Sequence, residues 1–300
     1  MPILHPEQSI NLASETTSEE MLRMKADEAR HGSYVAPNEL TAHFIKVAGS
    51  KAKGSIAELV IKGFMAGAFL AFATMLAILA PAQGLPGWVG GMVFPIGFVM
   101  IMLFGMELVT GNFGIVPMGV LAGEVSYQRL LRNWFWVFTA NIGGGVALAF
   151  LLWVVITQAG IGGVNDPEAL RQIIIKIAEK KTLSYQASGP VLGWITAITS
   201  GMLCNWLVAL GSLASGISRT TTGKILAMWL PIMTFFTLGF EHSIVNAFVI
   251  PAGIFLGADV SFAQWWVWNQ LPVTLGNILG ALIFIGLAFY FLYGRGPSND

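Results

Sequence analysis

The chain has 300 residues, 55% of them apolar and 11% charged, with a mean hydropathy of +0.70. A single soluble core cannot absorb that much hydrocarbon, so the bilayer is the expected solvent. Lysine plus arginine and aspartate plus glutamate balance at 16 each, which argues against a nucleic-acid partner.

Residues 1–54 are polar and lack the apolar run of a cleavable signal peptide, so this segment is expected in the cytoplasm. Within it, residues 14–31, with Thr17 and Glu20 at capping-box spacing, predict an amphipathic surface helix, and Ala36-Pro37-Asn38-Glu39-Leu40 opens a second helix. Stretches free of acidic and basic residues run from Gly63 to Met106, Asn133 to Asn165, Val191 to Ser218 and Val260 to Gly294. Each exceeds the roughly 20 residues that a spanning helix needs. Spans are predicted near 55–80, 88–122, 132–158, 191–216, 224–257 and 269–293, giving a channel-sized unit over 55–293 and a short tail at 294–300. Arg129 and Arg132, then Arg219 and Lys224, fall in connections that the positive-inside rule places with both termini in the cytoplasm. The connection 159–190 is then extracytoplasmic, and Asp166-Pro167-Glu168 ahead of Leu170, Ile173, Ile174 and Ile177 predicts a helix lying on the membrane. Cys204, the one cysteine, lies in an apolar run and reads as a small buried hydrophobe; it can build neither a disulfide nor a thiolate metal site.

An internal repeat organises these spans. Gly105-Met106-Glu107, Asn112, Pro117 and Gly119 recur at identical spacing as Gly239-Phe240-Glu241, Asn246, Pro251 and Gly253. Asn133, Asn141 and Gly144 likewise match Asn269, Asn277 and Gly280. Two copies of three spans each, 55–158 and 191–293, must be inverted relative to one another. The fold class expected is therefore an all-α polytopic membrane protein of six transmembrane helices in two inverted three-helix repeats, with a functional site at their interface near the midplane. Gly111, Gly114 and Pro117 are expected to break the second span, and Pro251 with Gly253 the fifth, where freed backbone groups require a water-lined cavity.

Glu107, Glu241 and His242 are ionisable residues well inside the predicted spans, away from the span ends where Glu58, Lys62, Arg132 and Lys224 lie, and such groups are costly there without a use. The glutamates are repeat equivalents, which suits a structural role, the capping of the broken half-helices by accepting from exposed N–H groups. His242 instead has Leu108 as its counterpart, an asymmetry that favours function over a merely satisfied core histidine. Asn246 stands one turn beyond it, and Thr110 follows Glu107 with a hydroxyl available from the opposite half. A histidine and a glutamate alone do not make a metal site, since His5, His31 and His43 belong to the polar N-terminal region, and no cofactor is expected.

The motifs that carry this pattern resemble the formate/nitrite transporter family from Pro37 to Tyr293: Ala36-Pro37-Asn38-Glu39-Leu40, Ala66-Gly67-Ala68-Phe69, Glu107-Leu108-Val109-Thr110-Gly111-Asn112, Leu203-Cys204-Asn205-Trp206-Leu207-Val208 and Gly239-Phe240-Glu241-His242-Ser243-Ile244-Val245-Asn246. The resemblance implies an aquaporin-like fold assembled as a homopentamer in the inner membrane, with one conducting path per protomer and both termini cytoplasmic. It implies that Thr110 lies on the loop of the broken second span, with Leu108 at the cytoplasmic constriction, and His242 and Asn246 on the fifth span. Phe94, Phe98 and Phe235 match the outer hydrophobic constriction, although position 98 is more often leucine in the family, and Asn205 matches the polar position on span four. The family's vestibule lysine falls at Gly189, and Lys181 is the nearest candidate for that charge.

The function expected is passage of small monovalent weak-acid anions, formate or nitrite first and hydrosulfide, lactate or acetate as alternatives, together with protons. An idealised unpaired carboxylate loses on the order of 20 kcal/mol on entering a dry constriction. Moving a proton from an imidazolium of pKa near 6.5 to a carboxylate of pKa near 4 costs roughly 3 to 4 kcal/mol, so His242 is expected to donate the proton or to organise its transfer. A water or glycerol channel would also suit an aquaporin-like repeat, but paired Asn-Pro-Ala boxes are missing. An enzyme using His242 and Glu241 lacks a nucleophile or metal beside them.

Overall fold

Ser55 marks the point where the chain enters its first membrane helix. Its hydroxyl accepts from the Glu58 N–H at 3.2 Å while the Glu58 carboxylate accepts from the Ser55 N–H at 2.9 Å, satisfying two of the donors that a helix start leaves open. The computed structural model describes residues 32–158 and 167–295. The predicted helix over 14–31, His5, His31, Asp166 and the tail beyond Arg295 lie outside those residues.

The described chain is helical almost throughout. Helix α1 (Pro37–Lys53) precedes α2 (Ile56–Ala82); α3 (Gly87–Val93) and α4 (Pro95–Leu103) are followed by α5 (Val109–Leu121) and α6 (Tyr127–Gln158). The second half repeats the order: α7 (Pro167–Ala187), α8 (Pro190–Ala214), α9 (Thr221–Thr237), α10 (Ser243–Leu256), and α11 (Phe262–Gly294), which passes through π-helical turns at Trp266–Gln270, Leu282–Leu287 and Tyr290–Gly294. α2, α6, α8 and α11 are long and apolar enough to cross a membrane unaided. The pairs α3–α4 with α5 and α9 with α10 make the other two crossings in two pieces each. Six crossings in two inverted sets put α1 and α7 at opposite ends of the molecule, termed here the α1 side and the α7 side.

The two interrupted crossings break earlier than the sequence suggests. Gly111, Gly114 and Pro117 lie inside α5, and Pro251 and Gly253 inside α10; the chain leaves helix between Leu103 and Val109 and between Thr237 and Ser243. Each proline removes one donor from its ladder, but every residue from Val109 to Gly119 and from Ser243 to Gly253 is buried, so surrounding helices hold the turn together. The reversal is made instead at Gly105 and Gly239, with φ of +64° and +74°, a region that a Cβ disfavours.

Close helix contacts repeat in the two halves. A Cβ at Gly144 on α6 would fall on the Phe64 carbonyl of α2, and one at Gly280 on α11 would fall on the Met202 carbonyl of α8. These glycines let the long helices meet backbone to backbone. The apolar stripe of α7 is not turned toward lipid: Leu170, Ile174 and Ala178 are buried in one cluster with Ala247, Phe248 and Ile250 of α10. That packing against protein brings Lys181, one turn on, to the break before α10.

Candidate functional site

α5 runs from the interior toward α1, where Gly119 meets Ala48, and α10 runs from the interior toward α7, where Gly253 meets Ala178. Their first turns therefore converge at the centre, each presenting the positive end of its helix dipole. Thr110 lies in the first turn of α5 and His242 is the N-cap of α10; both are buried, and Thr110 Oγ1 lies 3.1 Å from His242 Nε2. The other ring nitrogen, Nδ1, accepts the Val245 N–H at 3.2 Å. An accepting Nδ1 carries no proton, so the neutral ring holds its proton on Nε2 and donates it toward Thr110.

The two halves support this centre with the same scaffold. Lys51 Nζ and Asn112 Nδ2 contact Glu107 Oε2 at 2.9 and 2.7 Å, Asn112 also donates to Asn133 Oδ1 at 3.0 Å, and Asn133 donates to the Lys51 carbonyl at 3.0 Å. In the other half Lys181 and Asn246 contact Glu241 Oε2 at 2.9 and 2.7 Å, Asn246 donates to Asn269 Oδ1 at 2.9 Å, and Asn269 donates to the Lys181 carbonyl at 2.9 Å. Tyr185 adds a contact without a counterpart, its hydroxyl donating to Glu241 Oε1 at 3.1 Å. Burial first, and then the Glu241 charge, push that phenol above its ordinary range.

Capping of the half-helices falls to residues other than the glutamates. The carboxylates of Glu107 and Glu241 are taken up by lysine and asparagine side chains, and the first helical N–H groups go to asparagines: Val109 N–H to Asn141 Oδ1 and Ser243 N–H to Asn277 Oδ1, both at 2.9 Å. The same amides donate backward, Asn141 to the carbonyls of Gly63 and Glu107 and Asn277 to those of Gly201 and Glu241. A neutral amide offers donor and acceptor together, which a carboxylate cannot.

Two cavities approach the centre from opposite sides. One of about 460 Å³ on the α1 side reaches Glu107, Leu108, Gly111 and Met228; one of about 490 Å³ on the α7 side reaches Phe235, Glu241 and Val245. Leu108 and Phe235, both buried, line the α1-side and the α7-side cavity respectively. Phe235 lies over the imidazole with ring centres 5.7 Å apart and planes 26° apart. Phe94 meets Phe235 edge-on and stacks on Phe236 at 4.0 Å, while Phe98 packs near Gly211; neither Phe94 nor Phe98 borders either vestibule. Asn205 lies behind Thr110, donating to its carbonyl at 3.0 Å and to the Asn277 carbonyl at 2.7 Å. Lys181 does line the α7-side vestibule, paired with Glu241. The buried Oδ1 atoms of Asn205 and Asn246 and the Ser243 hydroxyl have no partner among the described residues.

Sequence reasoning missed Lys51 as the counterion of Glu107 and gave Asn133, Asn141, Asn269 and Asn277 no role. The signal was present: residues kept at both copies of an inverted repeat while their surroundings vary are held by a shared local geometry.

The sequence profile described as "Formate/nitrite transporter" matches residues 38–291. A "Probable formate transporter" of Methanothermobacter thermautotrophicus is 36% identical over 277 residues, 87% of this chain and 98% of the relative. A solved "FNT family ion channel" superposes with a TM-score of 0.70 at 26% identity, covering 85% of this chain and 98% of the other. A solved "Pentameric formate channel with formate bound" gives 0.65 at 26% identity, with 80% and 98% covered. This is a multi-pass membrane protein of a transport family: with the profile matched over most of its length and the relative and solved channels covering a similar share, it belongs to the formate/nitrite transporter family.

Proposed function

We propose that the protein conducts small monovalent weak-acid anions, formate first and nitrite next, with a proton, through the path from the α1-side vestibule past Leu108, the Thr110–His242 pair and Phe235 to the α7-side vestibule. The observation that carries this reading is the buried 3.1 Å contact between Thr110 and His242, with buried Leu108 and Phe235 lining the cavities on either side of it. The solved formate channel and the formate transporter among the relatives supply the substrate class. Hydrosulfide, lactate and acetate share its chemistry and follow as further substrates.

Because Nδ1 accepts from Val245, protonating the ring would set two donors against each other and uncap α10. His242 therefore acts from its neutral form. Its Nε2–H turns from Thr110 to an anion oxygen, and Thr110 follows as a second donor. The converging helix dipoles favour the negative charge at that point. A proton accompanying the anion then neutralises it, and the neutral acid passes Phe235 or Leu108 without the desolvation cost of a charge. The chain acts as a transporter and not as an enzyme, in the inner membrane as a homopentamer, with the α1 side and both termini in the cytoplasm.

His242→Leu, which installs the residue found at the equivalent Leu108, is the test. In proteoliposomes it is expected to lose at least tenfold in formate flux and to lose the dependence of flux on an imposed pH gradient. Unchanged flux, selectivity and pH dependence would reject the role of His242.

A further inference from the structure

Three cations gather where α1 ends and α6 begins. Arg132 donates to the Gly54 carbonyl at 3.0 Å, which sets its guanidinium beside Lys53, the last residue of α1. Arg129 stands three residues earlier in α6, on the same face of the helix. Lys53 and Arg129 are exposed and Arg132 is half-buried. No ion pair joins any of the three to a carboxylate among the described residues. The acidic residues nearest in the chain do not answer them: Glu58 accepts from the Ser55 N–H and faces Lys62, Glu107 is held by Lys51 and Asn112, and Glu124 forms no ion pair among the described residues. None of the three cations borders either vestibule.

The first of the arginines also stands against its own helix. Arg129 lies in the first turn of α6, at the positive end of the dipole, where a basic side chain is disfavoured and an anion favoured. Its N–H finds the Ser126 hydroxyl at 3.4 Å, a long contact. A topology signal needs no such position, since any site in the connection between crossings serves the positive-inside rule. Alongside the arginines, α6 turns Leu131 and Phe135 outward, 61% and 60% exposed, and α2 opens with exposed Ile56. Unpaired positive charge at a span end above an outward apolar wall has the outline of a lipid, with a phosphate at the top and acyl chains below. A zwitterionic headgroup carries an ammonium that these cations repel, so a headgroup of net negative charge fits.

We propose that Lys53, Arg129 and Arg132 bind the phosphodiester headgroup of an anionic phospholipid at the α1-side surface of the bilayer, with Leu131 and Phe135 against its acyl chains. A basic side chain at an anionic membrane surface contributes about fivefold to affinity, and a guanidinium can present two parallel donors to a phosphate. A headgroup held there bridges α1 and α6, the two helices that the Arg132–Gly54 bond already joins.

The experiment titrates the full chain, purified in detergent, with phosphatidylglycerol or phosphatidylcholine and reads the bound lipid by native mass spectrometry. The wild type is expected to hold phosphatidylglycerol about tenfold or more tighter than phosphatidylcholine. The side chains of Lys53 and Arg129 have no partner among the described residues, so their removal leaves the packing intact. Lys53→Gln and Arg129→Gln should each weaken phosphatidylglycerol about fivefold, and together about 25-fold, with phosphatidylcholine unchanged. Arg129→Lys keeps most of the affinity, and Lys176→Gln, which removes an exposed cation of α7, keeps all of it. Thermal unfolding midpoints verify that the variants are folded. Wild-type phosphatidylglycerol affinity in the double variant, or equal affinity of the wild type for the two lipids, overturns the site. A double variant that loses subunits or reverses its orientation in proteoliposomes while holding phosphatidylglycerol as the wild type does assigns these cations to a subunit contact or to topology, and overturns it as well.

Discussion

Thr110 and His242 come from opposite halves of the chain, yet their side chains meet at 3.1 Å between the first turns of two half-helices. The contact joins the two repeats at a single polar point inside an apolar passage. Thr110→Val keeps the shape and removes the hydroxyl. A net hydrogen bond is worth about 0.5–1.5 kcal/mol, so formate flux should fall roughly two- to tenfold, and Thr110→Ser should recover most of it. Flux assays in proteoliposomes compare the three, and equal flux in Thr110→Val and wild type would deny the hydroxyl a part in transport.

Asn141 and Asn277 each make one accepted and two donated bonds while fully buried. Replacing either with alanine leaves a backbone N–H and two carbonyls facing an empty space. Each such orphan costs about 1–3 kcal/mol. Asn141→Ala and Asn277→Ala should therefore lower the unfolding midpoint in detergent markedly and to a similar extent. A midpoint unchanged in either variant contradicts the capping role.

Lys181 and Glu241 form a buried ion pair in which a fifth of the Lys181 side chain still meets solvent. Lys181→Met strands the carboxylate and should destabilise by about 3 kcal/mol, at the low end for a broken buried pair. Adding Glu241→Gln should return a large part of that loss, as measured in a double-mutant cycle. Tyr185 supplies a pH signature. Its phenol is raised in the folded protein by burial and by the Glu241 charge, so the native state holds that proton more tightly than the unfolded chain does. The resulting stability is complete below the ordinary tyrosine value of about 10 and is lost as pH rises through the raised value. Tyr185→Phe should lose less stability than the wild type over that alkaline range, and parallel curves would show that the phenol is not coupled to folding.

Much of this architecture was legible in the residues because the code was written twice. Six crossings followed from apolar stretches, and their inversion and the asymmetric position of His242 against Leu108 from matched spacings in the two halves. The break positions did not. Pro117 and Pro251 read as interruptions, but proline acts on one hydrogen bond, and burial of every residue from Val109 to Gly119 and from Ser243 to Gly253 outweighs it; Gly105 and Gly239 were visible as repeated glycines without a sign of their positive φ. The counterion of Glu107 was hidden for another reason. Lys51 sits in a helix outside the crossings, and its reach into the protein depends on how α1 packs against α5, which no local pattern encodes. Lys181 was legible as a vestibule charge, but its pairing with Glu241 was hidden in the same way, because it depends on α7 packing on α10.

That packing has a mechanical consequence. Lys51 and Lys181 are each fastened twice, by the ammonium to a glutamate at a break and by the backbone carbonyl to Asn133 or Asn269. α1 and α7 are thereby handles, each welded to the hinge of its own half. α1 is also tied by Glu39 to Arg219 at 3.0 Å, in the turn that leads into α9. The two ends of the molecule are thus each tied to one break, the α1 end beside Leu108 and the α7 end beside His242.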